Sequence, residues 1–300
     1  MKKILALILA LTMVFALCAC GAKTEAPAAA PAAPADTPAE APAEAPAAPA
    51  NALEKIKADG VLTVALSPDF APMEFVDSSK SDQEQYVGFD VELAKFIASE
   101  LGVELVIEPM GFDACQTAVY TGSVPMSISG YSWTEERAEN YELSDYYYAG
   151  ENETEQVLLI RAEDAEKYTA PENFAGLDVG AQNASLQMML VEEQLADANP
   201  ITIGDIGVGV LELKSGNIEA LAVAYGNAEM IIESNPDLVM CSWQFDVKAE
   251  YEANVIMVGK GEVELLAAVN EALAKAYEAG YYGQWYDDAV ALAKSMGLDV

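Results

Sequence analysis

Strands alternating with helices place this chain in the α/β class, with mixed or parallel sheets. Three observations carry that reading. Short apolar runs such as Val61 to Leu66 have the length of buried strands. Between them, apolar residues recur at helical spacing, as at Leu93, Phe96, Ile97 and Leu101. Third, the turn Ser215-Gly216-Asn217-Ile218-Glu219-Ala220 parallels Thr121-Gly122-Ser123-Val124-Pro125-Met126. Each precedes a short apolar strand and then a Gly beside a Tyr, Gly130-Tyr131 and Tyr225-Gly226. The parallel implies two lobes built to one plan.

The N-terminus reads as an export segment. Lys2 and Lys3 precede an apolar run from Ile4 to Leu17, too short and wrongly flanked to span a bilayer. It ends in Leu17-Cys18-Ala19-Cys20-Gly21, which resembles a lipoprotein processing site. Residues 1–20 are then the signal peptide, and Cys20 becomes the first residue and carries the lipid. The alternative is a plain secretory signal with incidental cysteines. Residues 21–52 are mostly Ala, Pro and Glu. That composition cannot bury a core, and its prolines forbid a long helix, so it is expected to be an extended, disordered tether.

The folded part is expected to begin near Leu53. After the Val61–Leu66 strand, Pro68-Asp69-Phe70-Ala71-Pro72 is a loop stiffened by two prolines, and Phe70 is either a core plug or an exposed stacking surface. Ser78 to Tyr86 reads as a hairpin tip. Gly88 closes the turn, Asp90 can cap the next helix, and Gly102 stops it. Val103 to Ile107 is a strand, and Phe112 to Tyr120 a helix with Cys115 as a small buried hydrophobe. A transition falls near Gly150 to Thr154, and Gln156 to Ile160 starts a second strand–helix alternation. Met188 and Met189 sit in a core-facing helix. Ile201 to Ile203 and Leu221 to Ala224 are short strands, with Gly207 and Gly209 breaking the chain before a helix from Val210 to Lys214. Val255 to Val258 is a further strand, and Glu264 to Glu278 an amphipathic helix.

Composition excludes several function classes. The net charge is -34, from 15 basic and 49 acidic residues, so nucleic acid and anionic surfaces are repelled. There is no histidine. That removes His-based triads and the commonest transition-metal ligand, and no metal site or cofactor is expected. Catalysis is narrowed to carboxylate, Lys, Tyr or Ser chemistry.

The stretch Ser127 to Tyr148 carries the chemistry. Met126 to Ser129 ends a strand, and Ser132 or Thr134 can cap the helix that follows. Arg137 then lies in the first turn, at the positive end of the helix dipole, which disfavours a cation unless an anion is near. A strand end, free N–H groups and one Arg together suit a carboxylate. The alternative is a surface Arg paired with a neighbouring Glu.

The segment Ser132-Trp133-Thr134-Glu135-Glu136-Arg137 resembles the Ser/Thr-x-Thr-x-x-Arg of the family 3 extracellular solute-binding proteins of bacterial amino-acid importers. Gly88-Phe89-Asp90-Val91-Glu92-Leu93-Ala94 is a second and more specific match. Leu143-Ser144-Asp145-Tyr146-Tyr147 is a looser one, and Phe174-Ala175-Gly176-Leu177-Asp178-Val179-Gly180 and Gly280-Tyr281-Tyr282 add two more. The resemblance runs from about Leu53 to the C-terminus. It implies a two-lobed fold of the periplasmic-binding-protein type with a ligand cleft between lobes. Lobe one would be 53–151 with 249–300, and lobe two 152–248.

By matching positions, the resemblance implies that Ser67, Phe70, Phe112, Gly130, Ser132 and Arg137 form the lobe-one wall, with Arg137 gripping a ligand carboxylate. Ser185 supplies a hydroxyl from lobe two, and Tyr225 joins the binding set. Asn183 and Asn227 are candidate further contacts, and Tyr131 and Trp133 face either ligand or core. One departure matters. The family's acid for the ligand ammonium falls on Ala224, a methyl group. A zwitterion would then bury an unpaired cation, so a carboxylate ligand with a neutral or aromatic far end is expected.

The implied function is a monomeric receptor for a small carboxylate-bearing solute, an amino acid or amino-acid-like compound. It would be held by lipid to the outer face of the cell membrane and would deliver to the permease and ATPase of an ABC importer. The alternative is an enzyme on the same fold, such as a cyclohexadienyl dehydratase-like lyase. That chemistry needs an acid in the cleft, and no matched position carries one.

Overall fold

The computed structural model describes residues 50–148 and 155–298. The export segment, Cys20 and most of the expected tether lie outside the described residues, as does the transition at 150–154. Ala52 and its cap Asn51, assigned to the tether by sequence, belong instead to the first helix, where the Asn51 side chain accepts from the Glu54 N–H.

The chain runs α1 (Ala52–Asp59), β1 (Val61–Leu66), β2 (Asp69–Phe70), β3 (Glu74–Val76), β4 (Tyr86–Val87), α2 (Phe89–Leu101), β5 (Glu104–Pro109), α3 (Phe112–Tyr120), β6 (Met126–Ser132), α4 (Glu135–Asn140) and β7 (Glu142–Leu143). It continues with β8 (Gln156–Arg161), β9 (Asp178–Gln182), α5 (Leu186–Gln194), β10 (Asn199–Ile203), α6 (Ile206–Ser215), β11 (Ala220–Ala224), α7 (Tyr225–Ser234) and β12 (Leu238–Gln244). It ends with β13 (Asn254–Val258), α8 (Val263–Glu278) and α9 (Tyr281–Met296). Among the described residues no helix is long and apolar enough to cross a membrane.

Two five-stranded sheets organise these elements, ordered β5-β1-β6-β13-β7 and β10-β9-β11-β8-β12. In the first, β1 is parallel to β5 and β6, while β13 is antiparallel to β6 and β7. In the second, β9 is parallel to β10 and β11, while β8 is antiparallel to β11 and β12. The same order and the same directions recur, so one plan is used twice. The paired turns seen in sequence precede β6 and β11, which hold equivalent places. β13 comes from the end of the chain, so the first sheet is completed only after the second.

Burial explains the local choices. On α2, Phe89, Val91, Leu93 and Ile97 are buried, and each contributes about 1.5–3 kcal/mol relative to exposure. Gly102 ends this helix in the left-handed region at φ 72. Asp90 does not cap it, contrary to expectation. Gly88 holds the cap position, and the Asp90 side chain is buried.

Two glycines were misjudged from sequence. Gly207 and Gly209 do not break the chain before α6 but lie inside it. The helix starts at Ile206, where the Asp205 side chain accepts from the Val208 N–H. A Cβ on Gly209 would come within 2.8 Å of Leu221 and 3.1 Å of Ile203. The glycine lets α6 pack closely on the sheet, a reason invisible to local propensity. β12 and α9 had no expectation from sequence.

Candidate functional site

The cleft is built where strands end. A narrow hollow, of about 30 Å³, is lined by Ser129 and Gly130 of β6, by Phe70, and by Phe112 at the start of α3. Across from them stand Gln182 of β9, Gln187 of α5, Ile203 of β10, Ile206 of α6 and Leu221 to Ala224 of β11. Crevices at the carboxyl ends of strands are where open α/β sheets bind ligands.

Phe70 and Gly130 fit each other. Gly130 has φ +56, and a Cβ there would lie 2.8 Å from the Phe70 ring. The glycine thus serves both the backbone conformation and the aromatic wall. Of the residues expected to bind ligand, Phe70, Phe112 and Gly130 line this hollow, as does Ala224.

Arg137 lies beside it. Thr134, not Ser132, caps α4 by accepting from the Arg137 N–H at 3.2 Å. The guanidinium is buried and stacks over Tyr131 and Phe112, 5.3 and 5.8 Å from the ring centroids. One Nη1 bond goes to the Ser132 carbonyl at 2.6 Å, and one Nη2 bond to the Ala184 carbonyl at 2.9 Å. Among the described residues no carboxylate forms an ion pair with it. Burial pushes its pKa down to about 10. A buried cation held only by carbonyl dipoles has room, in energy terms, for an anion. The surface-Arg alternative therefore fails. A second hollow, of about 230 Å³, is lined by Arg137, Gln116, Thr134, Ser185 and Met188 among others. The expected set is thus divided, with Arg137 and Ser185 on one hollow and the aromatic wall on the other.

The remaining expected residues make contacts within the protein. Tyr131 faces the core, fully buried, with its hydroxyl 2.8 Å from Ser127 Oγ. Trp133 is partly buried and packs against the apolar clusters of both lobes. Ser67 Oγ donates to Asp69 at 2.7 Å. Ser185 Oγ caps α5 by accepting from the Met188 N–H at 3.0 Å. Asn183 Nδ2 donates to Asp113 at 2.8 Å, and the fully buried Asn227 donates to the Ala71 carbonyl at 3.1 Å. Tyr225 opens α7, and its N–H donates to the Glu155 carbonyl.

Acids missed in the sequence stand behind this wall. Asp90 Oδ2 accepts from the Gly130 N–H at 2.8 Å and from the Tyr147 hydroxyl at 3.1 Å. Glu74 accepts from Ser129 Oγ. Glu74 Oε2 and Asp90 Oδ1 are each buried without another donor. One proton shared between the two carboxyls satisfies both. Burial, and then Asp90, holds Glu74 well above the usual carboxylate range, and burial pushes Asp90 up to about 6. Glu74 opens β3 and Asp90 lies in the first turn of α2, and no spacing in the sequence joins them. Neither acid lines the cleft.

Two lobes of one design around an arginine-bearing cleft define a small-solute binding protein. The chain belongs to the bacterial extracellular solute-binding proteins, family 3, whose family model matches residues 62–290. It is similar to the arginine-binding extracellular protein ArtP of Bacillus subtilis (strain 168), 27% identical over 93% of this chain and 94% of that one. The L-cystine-binding protein TcyJ of Escherichia coli (strain K12) is 25% identical over 76% of this chain and 82% of its own. Among solved structures, the amino acid ABC transporter substrate-binding protein AbpA of Streptococcus pneumoniae, bound to L-arginine, superposes with a TM-score of 0.72 at 34% identity. That match covers 80% of this chain and 98% of AbpA. The holo form of ArgBP from T. maritima gives 0.66 at 32% identity, over 75% and 93%. The chain is a binding protein, not an enzyme.

Proposed function

We propose that this chain is the receptor of an ABC amino-acid importer, taking its ligand by the carboxylate on Arg137. The observation that carries this reading is the Arg137 guanidinium, buried between the lobes with carbonyl partners alone. The ligand carboxylate displaces the Ala184 carbonyl and accepts the paired N–H donors of the guanidinium. Phe70 and Phe112 take the rest of the ligand. The names of the relatives, which bind arginine and L-cystine, support an amino acid.

Delivery to a permease and ATPase follows from the receptor role. Cys20 carries the lipid, and the Ala/Pro/Glu stretch holds the receptor out from the membrane. Wild-type protein should partition with membranes, and Cys20→Ser should not. Equal partitioning would refute the anchor.

A narrower reading of the ligand rests on Ala224. Its methyl group lines the cleft where the family's acid would meet the ammonium. This favours a carboxylate with a neutral or aromatic far end over a zwitterion. A thermal-shift screen of amino acids, their N-acyl forms and keto acids tests both readings. A ligand at a hundred times its dissociation constant should add about 2.7 kcal/mol of stability. No shift with any carboxylate would refute the proposal.

A further inference from the structure

Several contacts tie the lobes together, and one is unlike the rest. Asp69 follows β1 in lobe one. Its Oδ1 accepts from Ser67 Oγ at 2.7 Å, which orients the carboxylate from its own lobe. Its Oδ2 accepts from two donors of lobe two, Gln182 Nε2 at 2.9 Å and the Ile206 N–H at 3.0 Å. Ile206 is the first residue of α6, so its N–H is one of the donors that a helix cannot satisfy internally. The Asp205 side chain serves the Val208 N–H instead. The helix start therefore offers a free donor with a positive partial charge, and Asp69 meets it with a negative one. Among the described residues no Lys or Arg pairs with Asp69. Its charge is answered by the other lobe and by Ser67.

The other crossings differ: the ion pairs Glu135–Lys248 and Glu233–Lys294, 4.0 and 3.9 Å apart, are exposed to water, which screens them. Arg137 and Gln116 both donate to the Ala184 carbonyl, and Asn227 donates to the Ala71 carbonyl. Those acceptors are neutral. The Asn183 side-chain amide donates one hydrogen bond to Asp113. Among the described residues, only at Asp69 does one carboxylate oxygen take two donors from the opposite lobe, one of them at a helix start. Asp69 also does not line the hollow beside Gly130, whereas its neighbour Phe70 does.

We infer that Asp69 is the latch of the cleft: its carboxylate closes on Gln182 and the start of α6, and so sets how long the closed form lasts. This rests on the reading of the chain as a receptor that closes over its solute. When the lobes part, Asp69 and the Ile206 N–H return to water. When they meet, a charge-assisted bond forms away from solvent. Because the contact forms only after closure, it acts on ligand release and not on ligand arrival.

The test follows release rates and lobe separation in the full chain. Stopped-flow fluorescence with L-arginine and with L-glutamine gives association and dissociation rates. Small-angle scattering without ligand gives the radius of gyration. Asp69→Ala should raise the dissociation rate roughly ten- to a hundredfold for both amino acids and leave association within about twofold. Asp69→Asn, which keeps the shape and loses the charge, should fall between. Ile206→Pro removes the N–H at a position where proline suits a helix start. Its effect and that of Asp69→Ala should be less than additive in the double variant. An unchanged dissociation rate in Asp69→Ala would overturn the latch. A loss seen with L-arginine and not with L-glutamine would overturn it too, making Asp69 a contact for the ligand's cation. Should wild type bind neither amino acid, scattering still decides. A larger ligand-free radius in Asp69→Ala supports the latch, and an equal radius refutes it.

Discussion

The Arg137 guanidinium donates to the carbonyl of Ala184, 2.9 Å away on the opposite lobe. Ala184 lies in the left-handed region at φ 57, a conformation that a non-glycine residue adopts at a cost. That turn aims its carbonyl at the guanidinium, and Gln116 Nε2 shares the same oxygen at 3.2 Å. A carboxylate reaching Arg137 replaces a neutral dipole with a full charge. The exchange favours the ligand because the guanidinium already carries the cost of burial.

The aromatic wall depends on a missing side chain. Gly130→Ala would place a Cβ 2.8 Å from the Phe70 ring and force φ +56 on an alanine. The expected loss is about 1–3 kcal/mol of stability, with a larger loss of ligand affinity because Phe70 must turn away. Urea unfolding and calorimetry on the same variant separate the two effects. An affinity unchanged within twofold would show that the Phe70 position does not matter to the ligand.

The buried Glu74–Asp90 pair makes stability depend on pH in a direction opposite to that of an ordinary ion pair. Both carboxyls are held above their usual values, Asp90 at about 6 and Glu74 well above 4.5. A raised carboxyl pKa means that the folded state holds protons the unfolded state has released. Stability from this pair is therefore greatest at low pH. It falls as pH rises from the ordinary carboxylate range through the folded values. From about pH 4.5 to 6 the slope should be roughly 1.4 kcal/mol per pH unit for each proton held. Glu74→Gln, which mimics the protonated form, should flatten that slope. A variant slope equal to that of wild type would show that no shared proton exists.

Sequence reading reached the α/β class through the alternation of strands and helices, and the two-lobed fold through the family resemblance, which also singled out Arg137 after its capped strand end. It could not see which side chains the protein itself uses. Ser67, Ser185 and Asn227 have the chemistry of ligand contacts, yet Ser67 orients Asp69 within its own lobe, Ser185 caps α5 and Asn227 crosses between lobes. The last role depends on a distance between segments 156 positions apart in the chain. Asp69 and Glu74 escaped notice because an acid looks solvated until distant segments cover it, Gln182 and Ile206 for Asp69 and Ser129 for Glu74. Gly209 misled because its reason is a leucine on β11, not its own backbone.

On the proposed reading, Ala224 sets the ligand's far end. Wild type should prefer a deaminated aromatic acid over the matching amino acid, and Ala224→Asp should reverse the order. A carboxylate there would pair with the ammonium, and without it a buried cation costs several kcal/mol. Titration of both compounds into both proteins checks this. Tight wild-type binding of the amino acid, with no gain in Ala224→Asp, would mean that another group already holds the ammonium.

The most direct measurement is calorimetry of wild type, Arg137→Lys and Arg137→Met with the best ligand from the carboxylate screen. Arginine presents paired donors in a planar fork that lysine cannot copy, so Arg137→Lys should weaken binding. Arg137→Met should lose on the order of 2–5 kcal/mol, leaving little or no heat of binding. Affinity in Arg137→Met equal to that of wild type would contradict the account and leave the guanidinium a structural clasp on Ala184.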